Sequence, residues 1–263
     1  MYELFQAIIM GIVEGLTEFL PVSSTGHLIL TGELLGFTGE KEKTFTVVIQ
    51  LGAVLAVLVL YHKRFIKLLN FNFKKDSGLN ALHIILAMIP AGVFAITLHS
   101  LIKKYLFGYE TVLIGLIAGG ILMLVADKVR RPVISEELDD ITYKQAFIIG
   151  LFQVLALWPG FSRSGSTISG GMLFGTSQKA AAEFTFIVSV PIMAGASLVD
   201  LLDSSENLAM SDFPLFAVGF IAAFIVGMIA VVTFINMMKK IRLSWFSYYR
   251  FILAAVFFFI MMK

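Results

Sequence analysis

The chain has 263 residues, 58% of them hydrophobic and only 14% charged, with a mean hydropathy of +0.90. These values exclude a soluble globular protein, whose charged surface the sequence lacks, and define a polytopic membrane protein. The net charge of +2 says little by itself, while the absence of cysteine excludes disulfides, thiolate metal ligands and a cysteine nucleophile. Met1-Tyr2-Glu3-Leu4 has no basic region ahead of its apolar run and no cleavage site after it, so the N-terminus reads as mature structure rather than a signal peptide.

In chain order, residues 4–36 come first, apolar but broken mid-length by Pro, Gly and Ser. The halves are roughly 15 residues long, too short to cross a bilayer. Three uninterrupted apolar segments follow at about 44–62, 81–99 and 111–127. A second broken stretch, 143–175, has the same form, and spans at about 183–201, 213–236 and 246–262 close the chain. Each broken stretch is predicted to be a re-entrant helix, loop, helix hairpin.

A shift of 139 residues sets Gly11 on Gly150, Leu16 on Leu155, Phe19 on Trp158, Ser23 on Ser162, Gly26 on Gly165, Gly32 on Gly171 and Gly36 on Gly175. Phe45-Thr46 falls on Phe184-Thr185 by the same shift. The chain therefore reads as a single integral membrane domain, 1–263, with repeat one at 1–127 and repeat two at 140–263. One hairpin plus three crossings per half puts the second half in the opposite orientation, an inverted repeat. Basic residues cluster in three loops, with His62, Lys63, Arg64, Lys67, Lys74 and Lys75 in the first, Lys128, Arg130, Arg131 and Lys144 in the second, and Lys239, Lys240, Arg242 and Arg250 in the third. The 202–212 loop carries Asp203, Glu206 and Asp212 and no Lys or Arg. By the positive-inside rule both termini are extracytoplasmic, and the two hairpins enter from opposite faces to meet near the midplane. Lys103 and Lys104 fall on the outer side, a minor exception in a short loop.

The hairpin tips are the polar cassettes Glu14-Gly-Leu-Thr-Glu18-Phe-Leu-Pro-Val-Ser23-Ser24-Thr25-Gly-His27 and Trp158-Pro-Gly-Phe-Ser162-Arg163-Ser164-Gly-Ser-Thr167. Glu14 and Glu18 share one helix face by their spacing, at about 2.5–3.5 kcal/mol each if left in lipid. They suit a divalent cation or a proton site; the alternative is a structural pair that caps hydroxyls or meets Arg163. Ser23, Ser24 and Thr25 open a half-helix whose free N–H groups favour an anion such as phosphate. His27, three residues past Ser24, is near enough to exchange a proton with its hydroxyl. Arg163 among Ser162, Ser164, Ser166 and Thr167 offers a planar fork to phosphate oxygens, or else a counter-ion to Glu14 or Glu18. Gly160-x4-Gly165-Ser166-Thr167 only mimics a nucleotide-binding loop, because Ser166 stands where the lysine belongs. His62 and His99 sit at span ends, His83 reads as a packed helix residue, and some of the 25 Phe and 12 Met residues are candidates to line a groove for an isoprenoid tail.

Both cassettes resemble the signature motifs of the bacterial undecaprenyl-diphosphate phosphatase family, the bacitracin-resistance type, and the similarity extends over essentially the whole chain. The resemblance implies an all-α integral enzyme of the cytoplasmic membrane that removes the terminal phosphate of undecaprenyl diphosphate, recycling the carrier lipid for cell-wall synthesis. It further implies dependence on a divalent cation, Mg2+ or Ca2+, and a site open to the extracytoplasmic side. By position, Glu14 and Glu18 belong to the acidic motif, where they would hold the metal. Ser24 and His27 belong to the catalytic hairpin, and Ser162 and Arg163 bind phosphate with Ser23, Thr25 and Ser164. The expected partners are a polyprenyl diphosphate and membrane lipids, not nucleic acid, with a homodimer left open. The competing expectation is an inverted-repeat transporter or flippase for a carrier lipid or anion.

Overall fold

Clusters of Pro, Gly and Ser end helices, and both broken stretches end theirs where those clusters fall. The computed structural model describes residues 2–69, 78–106, 108–129, 131–203 and 212–261. Helix α1 (Tyr2–Thr17) turns into α2 (Ser24–Leu35), followed by α3 (Glu40–Leu60), α4 (His62–Leu69), α5 (Ala81–Tyr105) and α6 (Tyr109–Val129). The second broken stretch is α7 (Tyr143–Gln153), a 3-10 turn at Val154–Leu157 and α8 (Arg163–Leu173); then come α9 (Gln178–Asp203), α10 (Phe213–Met238) and α11 (Leu243–Met261). Six helices, α3, α5, α6, α9, α10 and α11, are long and apolar enough to cross a membrane, at the six places predicted. The chain is a multi-pass, all-helical membrane protein; among the described residues the one non-helical pairing is an isolated bridge between Ser135 and Thr176.

Helix α9 starts five residues earlier than predicted, because Ser177 caps the Ala180 N–H at 3.0 Å and Gln178-Lys-Ala-Ala-Ala is good helix-forming sequence. The basic stretch after the first span, read as a loop, forms α4 because Phe65 and Leu68 find apolar neighbours while its Lys and Arg face outward. Lys74, Lys75, Arg130 and Glu206 lie outside the described residues, as do the side chains of His99, Lys103 and Asp203.

Corresponding residues of the two broken stretches make corresponding contacts. Gln6 Nε2 donates to the Leu35 carbonyl at 2.8 Å, joining the start of α1 to the end of α2. Gln145, 139 positions on, donates to the Phe174 carbonyl at 3.1 Å and joins α7 to α8 in the same way. Gly36 (φ 63°) and Gly175 (φ 86°) end α2 and α8 in the left-handed region that favours glycine. Helix α1 packs on α10, and α7 packs on α5. Small residues allow the close approach: a Cβ at Gly11 would lie 2.4 Å from the Gly219 carbonyl, and one at Gly150 would lie 2.5 Å from that of Ala87. Phe19, at the first turn, is fully buried edge-on against Phe186 at 5.2 Å and anchors the tip to α9.

The basic loops share one end of the molecule. Arg64 Nη1 lies 2.8 Å from both oxygens of Asp139, and Arg242 pairs with Asp127 at 3.4 Å. At the other end Lys41 pairs with Glu3 and Asp212 at 3.4 and 2.8 Å. Arg250 departs from the loop assignment: it lies within α11, fully buried, because backbone carbonyls of α6 and of the second turn replace solvent around it.

Partial burial alone would raise the Asp139 carboxyl, but hydrogen bonds from Arg64 and the Leu79 N–H outweigh it and hold the group below its usual range. A depressed carboxyl contributes stability above its unfolded pKa of about 3.9, and that contribution is lost as pH falls through the folded value. Asp139→Asn is therefore expected to lower thermal stability slightly at pH 7, by the roughly 0.2–1 kcal/mol of an exposed pair, and by nothing near pH 2. Melting curves at the two pH values check it.

Candidate functional site

Both turns close on one cavity of about 200 Å3. Helices α2 and α8 begin at its wall, so two sets of first-turn amides and two positive dipole ends converge there. Ser23 (φ 71°) and Ser162 (φ 75°) are the two non-glycine residues with positive φ among the described residues, and each caps its helix. Their hydroxyls accept from the Gly26 and Gly165 N–H groups at 3.3 and 3.2 Å. A serine held at positive φ stores backbone strain, which is kept where the surroundings over-determine it.

A buried ion pair joins the turns. Arg163 Nη2 donates to Glu18 Oε1 at 3.0 Å, with the side chains 13% and 6% exposed. The other Glu18 oxygen accepts the Ser24 hydroxyl at 2.5 Å, a short charge-assisted bond. Arg163 is steadied from behind by the Thr185 carbonyl at 3.3 Å. Ser164 Oγ crosses back to the Leu20 carbonyl at 3.0 Å and lies 3.2 Å from Ser162 Oγ. Of the predicted residues, Glu18, Ser23, Ser24, Thr25, Ser162 and Arg163 line the cavity. Ser164 is buried behind it.

Glu14 and His27 are placed otherwise. Glu14 is fully buried one turn below Glu18, and neither of its carboxylate oxygens has a hydrogen-bond partner. The expected contact between His27 and Ser24 is not formed, because the histidine is held from both sides. Its Nδ1 is 2.8 Å from the Ser23 carbonyl and its Nε2 is 2.7 Å from Tyr249 Oη, with the two rings stacked. A carbonyl only accepts, so Nδ1 carries a proton, and in the neutral ring Nε2 accepts from the tyrosine.

Three contributors were not singled out from the sequence. Gln50 of α3 lines the cavity; a lone amide inside an apolar span was its signal. Tyr249 carried none. Arg250 donates to the carbonyls of Leu116, Phe161, Gly115 and Gly160 at 3.1, 2.8, 3.1 and 2.8 Å, with Met123 Sδ 3.9 Å from Nη1. Its guanidinium thereby fastens the Pro159–Phe161 turn, immediately before Ser162 and Arg163, to α6. Trp158 adds a bond from its indole N–H to the Thr111 carbonyl at 2.8 Å.

Six apolar spans around a polar centre of one arginine, a carboxylate and several hydroxyls define a multi-pass integral membrane protein with a polar cavity between two broken helices. Residues 7–256 match the bacitracin resistance protein BacA family, and the chain belongs to it. Undecaprenyl-diphosphatase 1 of Bacillus anthracis is 54% identical over 259 residues, covering 98% of each chain. The proteins of that name from Bacillus thuringiensis subsp. konkukian (strain 97-27) and Bacillus cereus (strain ZK / E33L) are similar to the same degree.

Proposed function

We propose that the chain hydrolyses the terminal phosphate of undecaprenyl diphosphate at the cavity between the two turns. The observation that carries this reading is the chain Ser24–Glu18–Arg163, a hydroxyl, a carboxylate and a guanidinium linked at 2.5 and 3.0 Å where two helices begin. Family membership and the names of its relatives support the substrate. Arg163 and the amides of α2 and α8 receive the phosphate oxygens. Glu18 takes the Ser24 proton as Oγ attacks the terminal phosphorus and the bridging P–O bond breaks, releasing undecaprenyl phosphate. Water then hydrolyses the phosphoserine to orthophosphate. His27, fixed by the Ser23 carbonyl and Tyr249, orients the first turn of α2 that presents Ser24.

Glu14 and Glu18 are the residues that would hold a divalent cation. The two unpartnered oxygens of Glu14 fit this role, and two carboxylates suffice for an ion that keeps waters and substrate phosphate oxygens as its other ligands. Among the described residues no three His, Cys, Asp or Glu side chains gather into a metal cluster. When bound, the ion would neutralise charge on the diphosphate.

An apolar groove of about 860 Å3 opens beside the first turn, between α1, α10 and α11, and Leu20, Val22, Ala230, Phe234, Trp245 and Tyr249 are among its walls. Through Tyr249 it adjoins His27, and it suits the first isoprene units of the lipid. Ala230→Phe is expected to raise KM for long prenyl diphosphates about tenfold while leaving short ones nearly unchanged; rates against chain length test this.

The equivalences of Ser23 with Ser162, Gln6 with Gln145 and Gly36 with Gly175 support two inverted halves, 1–127 and 140–263, each a re-entrant hairpin plus three spans. The shared end of the basic loops supports a cytoplasmic-membrane protein whose termini and site open on the extracytoplasmic side. The reaction would return carrier lipid to wall synthesis and oppose bacitracin. Orthophosphate release from polyprenyl diphosphates of several lengths, with and without chelator, tests the activity. Release by the wild type and its loss on chelation are expected; no release with any divalent cation would return the reading to transport.

A further inference from the structure

The far end of α8 opens on a second polar cavity. Its volume is about 360 Å3, and it lies where α6, α8 and α10 end and α9 begins. Arg131, Lys239, Lys240 and Arg242 line it, against one carboxylate, Asp127. Asp127 pairs with Arg242 at 3.4 Å. Among the described residues, Lys239 and Lys240 make no side-chain hydrogen bond or ion pair within the protein. Part of this charge complements the negative ends of α6, α8 and α10, and Glu183 of α9 lies within electrostatic reach of Lys239, yet among the lining residues four cations stand against the one carboxylate of Asp127.

The walls are fixed. Gln178 Nε2 donates to the Ile241 carbonyl at 2.9 Å and ties the α10–α11 turn to the start of α9. The Ile134 and Ser135 N–H groups donate to the Gly175 carbonyl at 2.8 and 3.1 Å, and Ser177 N–H to the Ser135 carbonyl at 2.8 Å. Arg131 lies over the Phe174 ring at 5.9 Å. Apolar side chains, Met172, Met238 and Ile241, complete the lining.

Four of the six candidate spans begin or end around this hollow, which places it at the level of lipid headgroups rather than in the hydrocarbon. Cationic rim, apolar wall and depth together match a phosphate carried on an acyl or prenyl chain. From the juxtaposition of Arg131, Lys239, Lys240 and Arg242 around this anchored cavity, we propose that it binds a phosphate-bearing anion, distinct from the substrate at the turns, at the end of the molecule that carries the basic loops.

Two sources share that chemistry, an anionic phospholipid and free orthophosphate. The full chain in mild detergent is titrated separately with phosphatidylglycerol, phosphatidylcholine and orthophosphate, with binding read by native mass spectrometry and thermal shift. Each titration compares the wild type with Lys239→Gln/Lys240→Gln and Lys239→Arg/Lys240→Arg. Because the turns also accept phosphate, the readout is the difference between wild type and variant. Phosphatidylglycerol is expected to bind the glutamine variant about tenfold or more weakly than the wild type, and the arginine variant nearly as well, with phosphate release from substrate within about twofold in all three proteins. A variant-sensitive response to orthophosphate alone assigns the cavity to the free anion. Equal binding of both phospholipids, or wild-type affinity in the glutamine variant for every probe, overturns the proposal.

Discussion

Arg163→Ala is expected to lower kcat/KM for phosphate release by about 10²–10³-fold, the usual effect of removing one preorganised donor to a developing anion. It should also destabilise the protein, because the Glu18 side chain is 6% exposed and would lose its one cationic partner among the described residues. Breaking a buried pair from one side costs about 3–5 kcal/mol, most of it the penalty of the charge left behind. The two effects separate in Glu18→Gln/Arg163→Gln, which removes both charges. That double variant should recover most of the thermal stability and none of the activity. If stability and activity returned together, the pair would be a structural strut and the phosphate would bind elsewhere.

Arg250→Met should be nearly as damaging without touching substrate. The arginine is fully buried and satisfies four carbonyls, two of them in the turn that presents Arg163. Methionine fills much of the volume and donates nothing, leaving acceptors unpaired at about 1–3 kcal/mol each. The expected outcome is a loss of several kcal/mol and a fall in kcat/KM of about 10²-fold from a displaced turn. Arg250→Lys discriminates position from stability: with three donors on a point charge it should restore most of the melting temperature, but not the fork that holds Gly160 and Phe161 together. A kcat that stays depressed in a thermally recovered Arg250→Lys protein supports a positioning role, and a full return of activity contradicts it.

The spans and breaks were legible because their signal is local: long apolar runs against Pro, Gly and Ser clusters. The Ser23 and Ser162 alignment was legible too, though not their positive φ, since nothing in a serine announces the left-handed region. Charge was harder to read. Counting Arg250 with a basic loop hid a cation standing inside the predicted 246–262 span, where an ionised group asks for a buried partner. Pairing Ser24 with His27 used sequence spacing alone. The turn instead brings Glu18 to the serine, and Tyr249, more than two hundred residues away, takes the histidine. The first contact closes within one cassette but depends on the shape of its turn, and the second depends on how α11 packs against α2.

The most direct test of the account is the initial rate of orthophosphate release from undecaprenyl diphosphate by purified Ser24→Ala, measured beside its melting temperature. With Ser24 as nucleophile, the rate should fall by about a thousandfold or more with the fold intact. A well-folded Ser24→Ala protein releasing phosphate within a few-fold of the wild-type rate would contradict the serine mechanism and the site built around it.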